Sequence, residues 1–146
     1  MKLVKEIRWP LLLVTALGMM VFLMLADVVF VTYYAQLGNP GQPQEFYNEF
    51  AMQTAGAFVF CLAPFPAYLL TRWLCAKTGQ HFFAYAVLLV AAFYGFDVIM
   101  IAAMGAWEGL ASPQYWLNMA AMLAGAMAGA HFAGHAERRV AVAASA

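Results

Sequence analysis

The sequence predicts an all-α membrane protein: a single domain of four transmembrane helices, arranged as two parallel helical hairpins. Three observations lead there. Across 146 residues, 66% are hydrophobic and 10% charged, whereas a soluble domain carries about 25% charged residues; so few charges cannot coat a soluble surface. The apolar residues also come in unbroken runs rather than at amphipathic spacing. Finally, rare residues recur at an offset of 70: Asp27-Val28 onto Asp97-Val98, Pro43-Gln44 onto Pro113-Gln114, Asn48 onto Asn118, and Ala51-Met52 onto Ala121-Met122.

Four runs reach the roughly 20 residues that a helix needs to cross a bilayer. They cover 9–34, 53–74, 82–107 and 116–136. The first follows Lys2, Lys5 and Arg8 as a signal peptide would, but it far exceeds the roughly 7–15 apolar residues of a signal core. It reads as a retained anchor. The first connection, 35–52, holds the turn signal Asn39-Pro40-Gly41, and a short helix is expected from Gln44 to Phe50. The second connection, Cys75 to His81, is short and polar, and the third, 108–115, is tight, with Pro113 suited to a helix start. The tail after Arg139 is expected to fray.

All seven lysines and arginines fall on one side of this topology: Lys2, Lys5, Arg8, Arg72, Lys77, Arg138 and Arg139. The positive-inside rule makes that side cytoplasmic and puts both termini there, as in a bacterial inner membrane protein. Trp9, Tyr33, Tyr34, Trp73, Trp107, Tyr115 and Trp116 fall at span ends, where an aromatic belt is expected. Cys61 and Cys75 belong to no paired motif and read as reduced, inert thiols. The repeat halves span about 10–76 and 80–146. Both start on the same side, so they would be related by an axis along the membrane normal.

Asp27 and Asp97 are the only aspartates, and each sits inside an apolar run. Ionisable groups in hydrocarbon are costly and mark functional sites by default. No lysine or arginine lies in the interior of any span, and His131 is expected near the opposite face. Such a carboxylate can hold a proton, surround a cation, or meet a basic group on another chain. The simpler alternative is a hydrogen bond that glues neighbouring helices; Tyr94, one turn from Asp97, is a candidate partner. Gln53 and Thr54 add polar groups to the same half of the second span. Asn48 and Asn118 either frame an outer mouth or cap helix starts.

Pro64 and Pro66 interrupt the second span. Each removes a donor and frees a carbonyl, those of Phe60 and Leu62, giving a kink or hinge. Gly125 and Gly129 form a GxxxG pair, a close-packing signature in membrane helices, used either within the bundle or between protomers. His81, His131 and His135 are weak metal or haem candidates: imidazole is a frequent ligand, but no acidic or cysteine partner completes a spacing. No nucleophile–base set, phosphate loop or HExxH motif is present, so an enzyme of ordinary type is not expected. No basic cluster suggests nucleic acid.

The leading functional expectation is a small transporter or channel-like protein, with Asp27 and Asp97 forming a proton or cation site. The first alternative is a non-catalytic subunit of a larger membrane complex, the aspartates pairing with a partner helix. A histidine-ligated redox anchor ranks below both. The lipid bilayer is the expected partner, with a homo-oligomer or larger membrane complex beside it.

Overall fold

The computed structural model describes the backbone of residues 6–144 and side chains as far as Ala136. Lys2, Lys5 and the side chains of Arg138 and Arg139 lie outside the described residues. Within them the regular secondary structure is all helical, with six α-helices, one π turn and no strand.

Helix α1 (Trp9–Tyr33) begins with proline in its first turn, where no intrahelical donor is lost. It runs into the π turn Tyr34–Gly38, whose aromatic ring is pinned: Tyr34 stacks on Phe50 with centroids 3.8 Å apart. Helix α2 (Gln44–Leu62) absorbs both the expected short helix and the start of the second span. It gives way at Ala63 to α3 (Pro64–Thr78), with a bend of 41°. The prolines explain the break, because neither Pro64 nor Pro66 has an N–H to continue the ladder.

Gly79, with φ of 67°, ends α3, and the short connection then enters α4 (Phe82–Met104). Its cap, His81, adopts φ of 55°, unusual for a residue with a side chain. Gly105 closes α4 at φ of 69°. The Gly105 N–H donates to Ala102 and the Ala106 N–H to Ile101, the two bonds of a Schellman motif. The short α5 (Glu108–Ala111) is held by Trp116, whose indole N–H donates to the Leu110 carbonyl at 3.0 Å. Helix α6 (Pro113–Ala144) continues beyond the expected span and through the tail to Ala144. Alanine, the best helix former, dominates that tail.

Helix α1 with its π turn and helix α4 are each long and apolar enough to cross a membrane; α2 and α3 add a third span if the bent pair counts as one. Helix α6 is long enough, at 32 residues, but less apolar, being rich in alanine and glycine. Large side chains project outward from the apolar helices: Val14 is 70% exposed, Val29 66% and Ile99 65%. Leaving such surface in water costs about 25 cal/mol per Å². These helices mark the chain as a membrane protein.

Small residues set the packing. Helix α6 makes its most extensive contact with α3 and the next with α4, while α1 lies against α4. A Cβ at Gly125 would run into the backbone of Pro64, and one at Gly129 into the backbone of Tyr68. The GxxxG face is thus used inside the chain, against the helix that begins at the proline break. Leu12, Met19, Leu74, Tyr85, Leu89 and Met122 fill the centre. The Tyr85 hydroxyl accepts a hydrogen bond from the Arg8 N–H at 3.0 Å, fastening the start of α1 to α4. Helices α1 and α4 also bury matching positions: Thr15, Ala16, Met19 and Leu23 on one, and Tyr85, Ala86, Leu89 and Phe93 on the other. Each pair is separated by the same 70 residues that separate the aspartates.

Candidate functional site

A cavity of about 300 Å³ opens between α1, α2, α4 and α6, and both aspartates line it. The two apolar helices again contribute in register. Leu23, Met24 and Asp27 come from α1, and Phe93, Tyr94 and Asp97 from the equivalent positions of α4. Helical geometry accounts for each triplet, because residues three and four apart share a face. Helix α2 supplies Ala55, Gly56 and Val59, and helix α6 supplies Tyr115 and Asn118.

The polar groups are incompletely satisfied. Asp27 Oδ1 is buried with no hydrogen-bond partner. Asp97 sits beside the hydroxyls of Tyr94 and Tyr115. The Tyr115 contact falls short of hydrogen-bond geometry, and Tyr115 Oη is also buried without a partner. Leaving a buried polar atom unpaired costs about 1–3 kcal/mol. None of the lining residues is Lys, Arg or His, so no cation of the cavity wall neutralises either carboxylate.

An aromatic chain frames the aspartate on α4. Phe93 meets Tyr94 edge-on at 5.3 Å, and Tyr94 meets Tyr115 edge-on at 5.2 Å. Edge-to-face pairs of this kind are favourable and hold their rings in fixed orientations. On the α2 side the wall is tight. A Cβ on Gly56 would meet the Gln114 side chain, whose amide donates to the Gly56 carbonyl at 3.3 Å. Gln114 also bonds Asn118 at 2.8 Å. The counterpart pair in the first half forms the same bond, Gln44 to Asn48 at 3.2 Å, but on an exposed helix start.

The expected site residues therefore divide. Asp27, Asp97, Tyr94 and Asn118 come together at the cavity. Asn48 stays with Gln44, away from it. Gln53 is exposed, and the Thr54 hydroxyl donates to the Phe50 carbonyl of its own helix; neither lines the cavity. Pro64 and Pro66 mark the bend below Val59. Tyr115, Gly56, Met24 and Phe93 belong to the cavity and were not among the expected residues. Tyr115 lies one helical turn before Asn118, so the face that asparagine presents carried the signal.

The histidines do not converge. His81 pairs with Glu6 at 2.6 Å. His131 and His135 lie against each other, ring centroids 4.4 Å apart, in a separate cleft with Arg72 and Phe132. Among the described residues, no group of three or more His, Cys, Asp or Glu is placed to hold a metal ion. Cys61 is exposed, and the buried Cys75 thiol donates to the Phe82 carbonyl at 3.7 Å.

The fold and the site define an all-helical membrane protein with an acidic, aromatic-walled cavity among its helices. No protein-family model, curated protein or solved structure matches the chain.

Proposed function

We propose that this protein is a small four-helix transporter or channel-like carrier that moves a proton or cation through the cavity shared by Asp27 and Asp97. One observation carries the reading: two carboxylates from separate apolar helices line one cavity whose wall holds no cation. Carboxylates meant only to join helices would end in hydrogen bonds, yet Asp27 Oδ1 has none. Cargo or a proton supplies the missing partner.

In this reading α6 is the fourth span. Its low apolarity follows from the small residues that let it lie on Pro64 and Tyr68. The chain is then two parallel hairpins related by duplication. Support comes from the matched burial of α1 and α4 and from their matched contribution to the cavity. The basic residues orient both termini toward the cytoplasm of a bacterial inner membrane. The bend at Ala63 is the flexible point that opens one end of the cavity while α6 holds the other.

The test is flux in proteoliposomes under an imposed proton gradient. Asp27→Asn and Asp97→Asn, each correctly folded, are expected to lose most of the flux. Unchanged flux in both would overturn the reading. Recovery of a stoichiometric partner in mild detergent, together with inert proteoliposomes, would move the protein to the membrane-subunit class.

A further inference from the structure

We propose that the cavity recognises a compact organic cation, an alkylated ammonium or a guanidinium, rather than a bare metal ion. The inference rests on the transport reading and gives its site a substrate class.

The chemistry of the wall favours it. Besides Asp27 and Asp97, the cavity presents three aromatic rings, Phe93, Tyr94 and Tyr115, and two thioethers, Met20 and Met24. Cations with apolar substituents are attracted to aromatic faces, and desolvation strengthens that attraction. Methionine adds a polarizable surface that adapts to irregular shapes. A volume of about 300 Å³ lies at the small end of the range for ligand sites.

The same wall is poor for hard ions. Calcium takes roughly 6–8 oxygen ligands, and magnesium demands a near-octahedral oxygen shell. Here the wall offers two carboxylates set among leucine, valine, alanine and methionine, and among the described residues no group of three or more His, Cys, Asp or Glu could hold a metal ion. The Gly56 carbonyl nearby is taken by Gln114. Stripping a small ion of water in such surroundings is not repaid. An organic cation has less hydration to lose and more apolar surface to bury.

The balance of charge also fits. Two carboxylates face a monovalent cargo, so one can retain a proton while the other neutralises the ligand. No covalent step is involved.

The experiment is equilibrium binding to the purified full chain in detergent, followed by tyrosine fluorescence or calorimetry. The probes are tetramethylammonium and tetraethylammonium, each against sodium and magnesium chloride. Saturable binding of an alkylammonium is expected, undiminished by either salt at matched ionic strength. Asp97→Asn should abolish it. Tyr115→Leu should weaken it by about tenfold, and Tyr115→Phe, which keeps the ring, by less than about threefold. Retained helicity and a monodisperse elution profile separate lost binding from lost folding. Saturable binding of sodium or magnesium with no alkylammonium binding would overturn the proposal. So would alkylammonium binding that is indifferent to Tyr115→Leu. Because binding is read without flux, failure of the transport reading and failure of this inference are distinguishable. Proton flux that depends on Asp27 and Asp97, with no alkylammonium binding, would sink this inference alone.

Discussion

Asp27 on α1 and Asp97 on α4 line the same cavity from equivalent helical positions, each three residues beyond another cavity residue, Met24 and Tyr94. The equivalence is not complete. Tyr94 offers a hydroxyl and a ring beside its aspartate, whereas Met24 offers only a thioether. The Tyr115 hydroxyl also lies near Asp97, whereas Asp27 is the one with an orphaned oxygen. A carrier with two unlike carboxylates can hold a proton on one and a cargo charge on the other.

The close approach of α6 to α3 should be intolerant of volume. Gly125→Val or Gly129→Val would press a side chain into the backbone of Pro64 or Tyr68, and backbone cannot rotate away. Overpacking of this kind costs about 3 kcal/mol. Thermal unfolding in detergent should show a clear loss for both, with Gly18→Ala as the control, since a Cβ there meets nothing within 4 Å.

Thr71 predicts the opposite sign. It is fully buried on α3, and its hydroxyl has no hydrogen-bond partner. Thr71→Val keeps the shape and removes the orphaned group, so the variant should be about 1 kcal/mol more stable. A lower unfolding midpoint would mean that the hydroxyl is satisfied in the membrane.

Tyr85 ties the two apolar helices at one end. Tyr85→Phe removes the acceptor for the Arg8 N–H and should cost about 1 kcal/mol. Amide exchange should accelerate first around Arg8 and Trp9, where that bond is lost, rather than across α4.

The bend at Ala63 should straighten when its cause is removed. Pro64→Ala with Pro66→Ala restores two donors to the ladder. Spin labels placed on α2 and α3 should then report a longer end-to-end distance than in the parent chain. Alkylammonium binding should persist, because neither proline lines that cavity, while flux should slow.

Much of the architecture was legible because lipid and rare residues impose strong rules. The long apolar runs located α1 and α4 within a few residues, and the two prolines located the break between α2 and α3. Glycine spacing identified the face of α6 that touches its neighbour. The rotation of α2 was harder to read. Its polar residues, Gln53 and Thr54, suggested one inward face, whereas Ala55, Gly56 and Val59 form it. Threonine satisfies its own hydroxyl on the preceding turn, so its polarity says little about direction. Tyr115 was read as part of an interfacial belt, where tyrosine commonly sits, although its hydroxyl turns inward beside Asp97. The apolarity of α6 was overstated: its alanines and glycines form a long run, but each carries little apolar surface.

The most direct measurement compares proteoliposome flux for the parent chain, Asp27→Asn, Asp97→Asn and the double variant. Residues of one site act as a unit and are non-additive. Each single substitution should therefore remove nearly all the flux, and the double variant should be no worse than either. Losses that simply multiply, or a fully active variant lacking either aspartate, would contradict a single shared site.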